Sequence, residues 1–287
     1  MPTFPRRKKN GGAPRAPRFS RLKRFGRRAE DKGVPRGRGI YLLPNAFTTG
    51  ALFCGFYAIV MAMNQRFEHA CWAVFIAMVL DGLDGRIARL TNTQSEFGAQ
   101  YDSLSDMGSF GAAPALVIYE WSLRGLGKLG WIAAFVYCAG AALRLARFNT
   151  NIEVVDKRFF QGLPSPAAAA LVVGFIMMMT DPDINVSSRQ VDWVSWCLAV
   201  FAGLTMVSNV PFYSFKDVNF RKSVPFIVVF LIALGFALVA IDPPKVLWPI
   251  FVVYGLSGYV VFAIQRAKGK RVSIIPTDDP IDESERR

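Results

Sequence analysis

The chain is 287 residues long, 52% hydrophobic, and carries a formal net charge of +13. With a mean hydropathy of +0.29, this composition turns the fold question from a soluble core to membrane spans. Residues 1–39 hold 14 Lys or Arg and two acids, so +12 of the charge belongs to this tail; the single histidine, His69, falls in a polar turn, and His-based metal or triad chemistry is not expected.

The basic tail is rich in Arg, Gly and Pro and has too few apolar residues for a core, so it is expected to be disordered. A polybasic run ahead of a membrane span is drawn to anionic lipid by about 1 kcal/mol per charge near the surface. That reading is preferred to nucleic-acid binding, which would want aromatics among the charges, where only Phe4, Phe19 and Phe25 stand. A secretory signal is disfavoured by the length of the basic region and the lack of a small-residue cleavage site. An organellar transit peptide stays open, with a weak amphipathic pattern.

Eight apolar segments suited to crossing a hydrocarbon core follow, at about 41–63, 68–90, 97–122, 129–149, 165–180, 192–212, 224–241 and 246–266, the fifth being the shortest. Pro114, Pro211, Pro225 and Pro249 fall in or beside them, where neighbouring helices can repair a lost hydrogen bond. With the basic tail taken as cytoplasmic, the inside breaks include 144–158 and 213–223. These are more basic than the outside breaks at 64–68, 124–128, 181–192 and 242–245. The expectation is an all-α, polytopic integral membrane bundle of about eight transmembrane helices with both termini cytoplasmic. Its parts would be a disordered basic cytoplasmic tail (1–39), a membrane-embedded domain (40–267) and a disordered cytoplasmic tail (268–287). Cys54, Cys71, Cys138 and Cys197 lie in apolar segments, never at C-x-x-C spacing, and read as buried free thiols.

Four carboxylates interrupt this apolar pattern. One Asp at mid-membrane costs roughly 2.5–3.5 kcal/mol, so four in one short region point to function rather than packing. Asp81 and Asp84, three apart, share one helical face with Gly85 and Ala88 on or beside it; after a polar break, Gly98, Asp102 and Asp106, four apart, share another. So short a connection sets the two helices antiparallel and side by side, with the carboxylate pairs converging. Unpaired, they would repel strongly in a low-dielectric site. Two divalent cations would remove the conflict, and hard oxygen ligands suit magnesium, manganese or calcium rather than zinc. A two-metal cluster is a common clamp for displacement at phosphorus. Gly85, Ala88 and Gly98 leave room for a substrate such as a nucleotide to approach the backbone, and Arg89 adds a cation for phosphate. A cation-coupled membrane transporter would also place carboxylates at mid-membrane, but gives no reason for the small residues and the arginine.

The run Asp81-x-x-Asp84-Gly85-x-x-Ala88-Arg89, eight residues, then Gly98-x-x-x-Asp102-x-x-x-Asp106 resembles the full signature of the CDP-alcohol phosphotransferase family, with no position departing from it. The resemblance implies that Asp81, Asp84 and Asp102 hold two divalent ions, Mg2+ or Mn2+. It makes Asp106 metal-adjacent and the general base, with Gly85, Ala88, Arg89 and Gly98 lining the CDP site. Pro44-Asn45-x-x-Thr48 at the start of the first span reads equally as helix capping. Its likeness to family segments near the nucleotide adds Asn45 and Thr48 to the CDP site.

Arg144 and Arg147, three apart at a cytoplasmic helix end, read either as snorkelling, dipole-complementing residues or as ligands for an acceptor carboxylate or phosphate. The run Leu143-Arg144-Leu145-Ala146-Arg147-Phe148-Asn149 with Gly162-Leu163-Pro164-Ser165-Pro166 is similar to the phosphatidylserine synthase branch of the family. That branch implies phosphatidyl transfer from CDP-diacylglycerol to L-serine, and the family resemblance implies a homodimer. The expected setting is the inner membrane of a prokaryote, with the site set towards the cytoplasm by the distribution of basic residues. Glycerol 3-phosphate or an inositol phosphate stands as the alternative acceptor.

Overall fold

The computed structural model describes residues 42–91, 93, 95–150, 159–181, 187–213 and 241–267, with Ile227, Phe230, Leu234, Gly235 and Ala237 as isolated positions. The tails at 1–39 and 268–287, the segments at 151–158 and 214–223, and most of the span expected at 224–241 lie outside the described residues.

Helices α1 (Leu42–Met63) and α2 (Phe67–Leu90) form a hairpin. The chain reverses over three residues, with Gln65 in the left-handed region at φ 59° and the Asn64 side chain donating to the Val60 carbonyl at 2.9 Å. Ala51, Ala58 and Ala62 on α1 and Ala70, Ala73 and Ala77 on α2 are buried, and side chains this small let two helices approach closely. Along α2 the buried positions Ala70, Val74 and Ala77 continue, three or four apart, into part-buried Asp81 and buried Asp84. The face that packs α2 into the bundle therefore carries its two carboxylates.

Ser95 caps α3 (Glu96–Asp106), its hydroxyl accepting from the Gly98 amide at 3.0 Å. A π turn (Met107–Ala112) then leads without a break into α4 (Ala113–Trp121). The π turn departs from the plain helix expected over 97–122, and Pro114 accounts for it. Proline cannot donate to the carbonyl four residues back, that of Phe110, and its ring crowds that carbonyl; a wider turn relieves both.

After a 3-10 turn (Leu123–Leu126), α5 (Lys128–Thr150) packs against α7 (Ser188–Val207) at a pair of glycines. A Cβ on Gly140 would overlap the Gly203 carbonyl, and one on Gly203 would lie 2.7 Å from the Val136 carbonyl. Helix α6 (Ser165–Met179) runs through the centre of the bundle, with Ala168 through Met177 all buried. Two three-residue strands, β1 (Phe159–Gln161) and β2 (Pro211–Tyr213), pair antiparallel with Phe160 opposite Phe212. These strands are absent from the all-helical expectation, and α7 ends five residues before 212, where Ser208 turns extended. Phe212 is buried against Tyr254 and Gly258 of α8 (Pro243–Ala267).

Among the described residues four helical stretches are long and apolar enough to cross a membrane: Pro44–Met63, Lys128–Thr150, Arg189–Val207 and Pro243–Ile264. Helices also stand at three other expected spans. Of these, α2 carries carboxylates and arginines, the α3–α4 rod is split by its π turn, and α6 is short. Phe53, Phe56, Trp131, Phe135, Leu204 and Val253 stand exposed on the outside, a surface suited to hydrocarbon rather than water. All four cysteines are free; Cys71 is buried as expected, whereas Cys197 lies on an exposed face of α7.

Candidate active site

The α2–α3 connection is short because it closes on itself. The Thr91 hydroxyl donates to the Ile87 carbonyl at 2.7 Å and lies 2.7 Å from the Thr93 hydroxyl, while the Thr93 amide bonds back to the Ala88 carbonyl at 3.0 Å. The carboxylate faces of the two helices consequently meet. Asp81 faces Asp106, and Asp84 faces Asp102. One carboxylate oxygen each from Asp81, Asp102 and Asp106 lies within 4.8 Å of the other two. The fourth, Asp84, is 5% exposed and accepts a 2.8 Å hydrogen bond from the Thr48 hydroxyl on α1. Helix α1 is held against α3 by the Ser105 hydroxyl, which donates to the Thr48 carbonyl at 3.0 Å, and against the π turn by the Ser109 hydroxyl, which donates to the Ala51 carbonyl at 2.9 Å.

Among the described residues, Oδ1 of Asp102 and Oδ1 of Asp106 are buried without a hydrogen-bond partner. Buried carboxylate oxygens left in this way are costly unless something positive meets them. Four carboxylates, all hard oxygen donors, with unpartnered atoms turned into one small space, fit divalent magnesium or manganese.

A cleft of about 380 Å³ opens beside the cluster. Asn45 and Thr48 line it from α1, Asp84, Gly85, Ala88 and Arg89 from α2, and Gly98 and Asp102 from α3. Every residue that the sequence suggested for a nucleotide site thus borders one space. A Cβ on Gly85 would meet nothing within 4 Å, so this position faces the open cleft; a Cβ on Gly98 would lie 3.1 Å from the Ser95 hydroxyl that caps its own helix. Arg89 is exposed and donates through Nε to the Gly85 carbonyl at 2.9 Å, which lays its guanidinium along the cleft rim. Pro44, Thr93, Ser95 and Ala99 complete the lining. Sequence reading did not single out the last three, although their place in the eight-residue break or one turn beyond it was a signal.

The two arginines of α5 have different fates. Arg144 interacts electrostatically with Asp106 and donates to the Ser165 hydroxyl at 2.6 Å, closing the cluster from the α5–α6 side. Arg147 points away from the cleft. Its guanidinium donates to the carbonyls of Val207 (2.9 Å), Gln161 (2.9 Å), Ser208 (3.2 Å) and Met206 (3.4 Å) and to Asn209 Oδ1 (3.1 Å). It therefore caps the end of α7 and ties it to β1, which is nearer to the dipole-complementing of the two roles the sequence left open. Ser165 went unremarked in the sequence as a partner for Arg144, since 21 residues and a turn separate them.

The sequence model of CDP-alcohol phosphatidyltransferases matches residues 41–208. The chain is similar to several relatives named CDP-diacylglycerol–serine O-phosphatidyltransferase, of which three illustrate the range of organisms. That of Helicobacter pylori (strain J99) is 34% identical over 226 residues, covering 79% of this chain and 94% of its own. That of Mycobacterium tuberculosis (strain H37Rv) is 30% identical over 245 residues, covering 81% and 82%. That of Saccharomyces cerevisiae is 32% identical over 194 residues, covering 63% and 62%. With its carboxylates gathered beside a cleft and this extent of similarity, the chain belongs to the CDP-alcohol phosphatidyltransferase family.

Proposed function

We propose that this chain transfers the phosphatidyl group of CDP-diacylglycerol to the hydroxyl of L-serine, giving phosphatidylserine and CMP. The observation that carries the reading is the convergence of Asp81, Asp102 and Asp106 within 4.8 Å next to a cleft walled by small residues. The names of the relatives supply the acceptor.

Divalent ions held by Asp81, Asp84, Asp102 and Asp106 would supply positive charge to the diphosphate and to CMP as it leaves. The chain's own groups do the rest. Asn45, Gly85, Ala88 and Gly98 admit the cytidine diphosphate against backbone, with Arg89 at the rim as a fixed cation for phosphate. Thr48 holds Asp84 in orientation. Asp106 takes the proton of the serine hydroxyl as that oxygen forms its bond to the lipid-bearing phosphorus; the phosphoanhydride P–O bond breaks and its electron pair leaves on CMP. Arg144, beside Asp106, is placed to meet an anionic group of the acceptor such as the serine carboxylate. Arg147 we assign to holding the turn between α7 and β2 against β1.

The architecture we propose has eight spans, both termini and the site on the cytoplasmic side of a prokaryotic inner membrane, and a basic tail at 1–39 resting on anionic lipid. The domain spans 40–267, the C-terminal tail 268–287, and the assembly is a homodimer. A lipid-anchored donor and a water-soluble acceptor favour a site at that boundary. The test is CMP release from purified protein in detergent with CDP-diacylglycerol and Mn2+ or Mg2+, adding serine, glycerol 3-phosphate or an inositol phosphate separately. Release with serine, abolished by chelator, is expected. Release only with a phosphorylated alcohol would overturn the acceptor, and none with any acceptor would overturn the reaction.

A further inference from the structure

Tyr137, midway along α5, is completely buried, and its hydroxyl donates to the Phe110 carbonyl at 3.0 Å. This is the carbonyl for which Pro114, four residues on, has no N–H to give. Phe110 lies in the π turn, where the Ala113 amide reaches back five residues to the Gly108 carbonyl. One extra residue in a turn rotates the helix before it relative to the helix after it by about 100°. The turn starts immediately after Asp106. Beyond it, Ala113, Pro114, Val117 and Ile118 are all buried, which anchors α4 in the bundle. Whether the turn is π or α therefore sets the direction in which Asp102 and Asp106 point.

The near side of the turn is fixed by α1. Ser109 donates to the Ala51 carbonyl, and Gly55 comes so close that a Cβ there would lie 2.6 Å from the Ser109 Cα. The far side is fixed by α5 through Tyr137, and by Gly111, where a Cβ would lie 3.2 Å from that of Ala141. Of these contacts only the Tyr137 hydroxyl replaces the donor that proline removed.

We propose that Tyr137 is a positioning residue for the carboxylate cluster: its hydroxyl stabilises the π turn that aims Asp102 and Asp106 at Asp81. It acts through the backbone of 107–112 and not on substrate. The inference rests on the reading of the cluster as a divalent-metal site.

The experiment is Mn2+ binding to the full-length protein in detergent, followed by electron paramagnetic resonance without substrate, alongside amide hydrogen exchange over 104–116. At equal amounts of folded protein, Tyr137→Phe is expected to bind Mn2+ about tenfold or more weakly, in the range seen for groups that orient metal ligands. It should exchange faster across 107–113 and lose about tenfold in kcat with KM for CDP-diacylglycerol within about twofold. A folded Tyr137→Phe protein with wild-type Mn2+ affinity would overturn the proposal. If that variant does not fold, Pro114→Ala decides: it returns a backbone donor to Phe110 and frees the turn to close to α. Weaker Mn2+ binding without loss of thermal stability is expected, and unchanged binding overturns the proposal. Wild-type protein that binds no Mn2+ would sink the metal reading instead. Hydrogen exchange would then decide alone, equal rates in wild type and Tyr137→Phe overturning the role of Tyr137.

Discussion

Thr48→Val removes one hydroxyl and almost nothing else. Thr48 is 4% exposed, and its hydroxyl stands 2.8 Å from Asp84 Oδ2; valine keeps the branched shape and loses the donor. A hydrogen bond to a charged group is worth roughly 1.5–3 kcal/mol, which corresponds to a factor of about 10 to 140 at about 1.4 kcal/mol per tenfold. Groups that orient metal ligands cost about 10- to 100-fold in metal affinity or activity when removed. Both routes lead to the same expectation: the Mn2+ concentration for half-maximal CMP release rises about 10- to 100-fold, and saturating Mn2+ restores most of the turnover. Thr48→Ser, which retains the hydroxyl, should titrate close to wild type. The assay is CMP release against Mn2+ at saturating CDP-diacylglycerol and serine. A Thr48→Val enzyme with the wild-type Mn2+ midpoint would refute the reasoning. If KM for CDP-diacylglycerol rises instead, the hydroxyl serves the nucleotide rather than Asp84.

Asp106→Asn should assemble normally and lose at least about 100-fold in turnover, as expected when a general base is removed; near-normal CMP release would sink its assignment. Gly85→Leu extends into the open cleft, where a Cβ meets no atom within 4 Å, so thermal stability should hold while KM for CDP-diacylglycerol rises about tenfold or more, roughly the worth of lost substrate contact. Arg147→Ala removes the cap from the end of α7 and should lower the thermal midpoint measured in detergent. Arg147→Lys should recover only part of it, because one ammonium cannot match a planar fork that reaches four carbonyls. Unchanged stability in Arg147→Ala would return this residue to the list of substrate ligands.

What could be read from the chain depended on sequence distance. Asp81 and Asp84 lie within one helical turn, Asp102 and Asp106 within another, and the break between them is too short for any arrangement but side by side. Helical geometry therefore brings them together without knowledge of the rest. The first span's Asn45 and Thr48 reached the cleft only through likeness to other sequences, since no local rule says which face of α1 meets α2. Arg147 shows where local reading stops. Its partners lie about 60 residues on, in carbonyls at the end of α7, and backbone acceptors leave no mark in a sequence. The π turn is an intermediate case. Pro114 was visible, but whether a proline inside a span gives a kink, a break or a wide turn is settled by neighbours, here a tyrosine from α5 and a serine contact to α1. The strands escaped notice for the same reason as Arg147: three residues of β1 find their partner about 50 positions away.

Helix α6 stands apart from the others in what surrounds it. Its 15 residues reach about 22 Å at 1.5 Å each, short of the roughly 30 Å of hydrocarbon, and from Ala168 to Met177 it meets protein on every side. Its solvent is the other helices. On α8, where Val253, Leu256 and Val260 face outward, one apolar side chain should replace another freely, because lipid tails adapt to any shape. On α6 volume governs: Ala169→Val or Val172→Ala would keep the position apolar and still disturb packing. In a scan of apolar-for-apolar substitutions, the tolerant positions would trace the lipid boundary of the bundle, and α6 would stand out as the helix where hydrophobicity alone does not suffice.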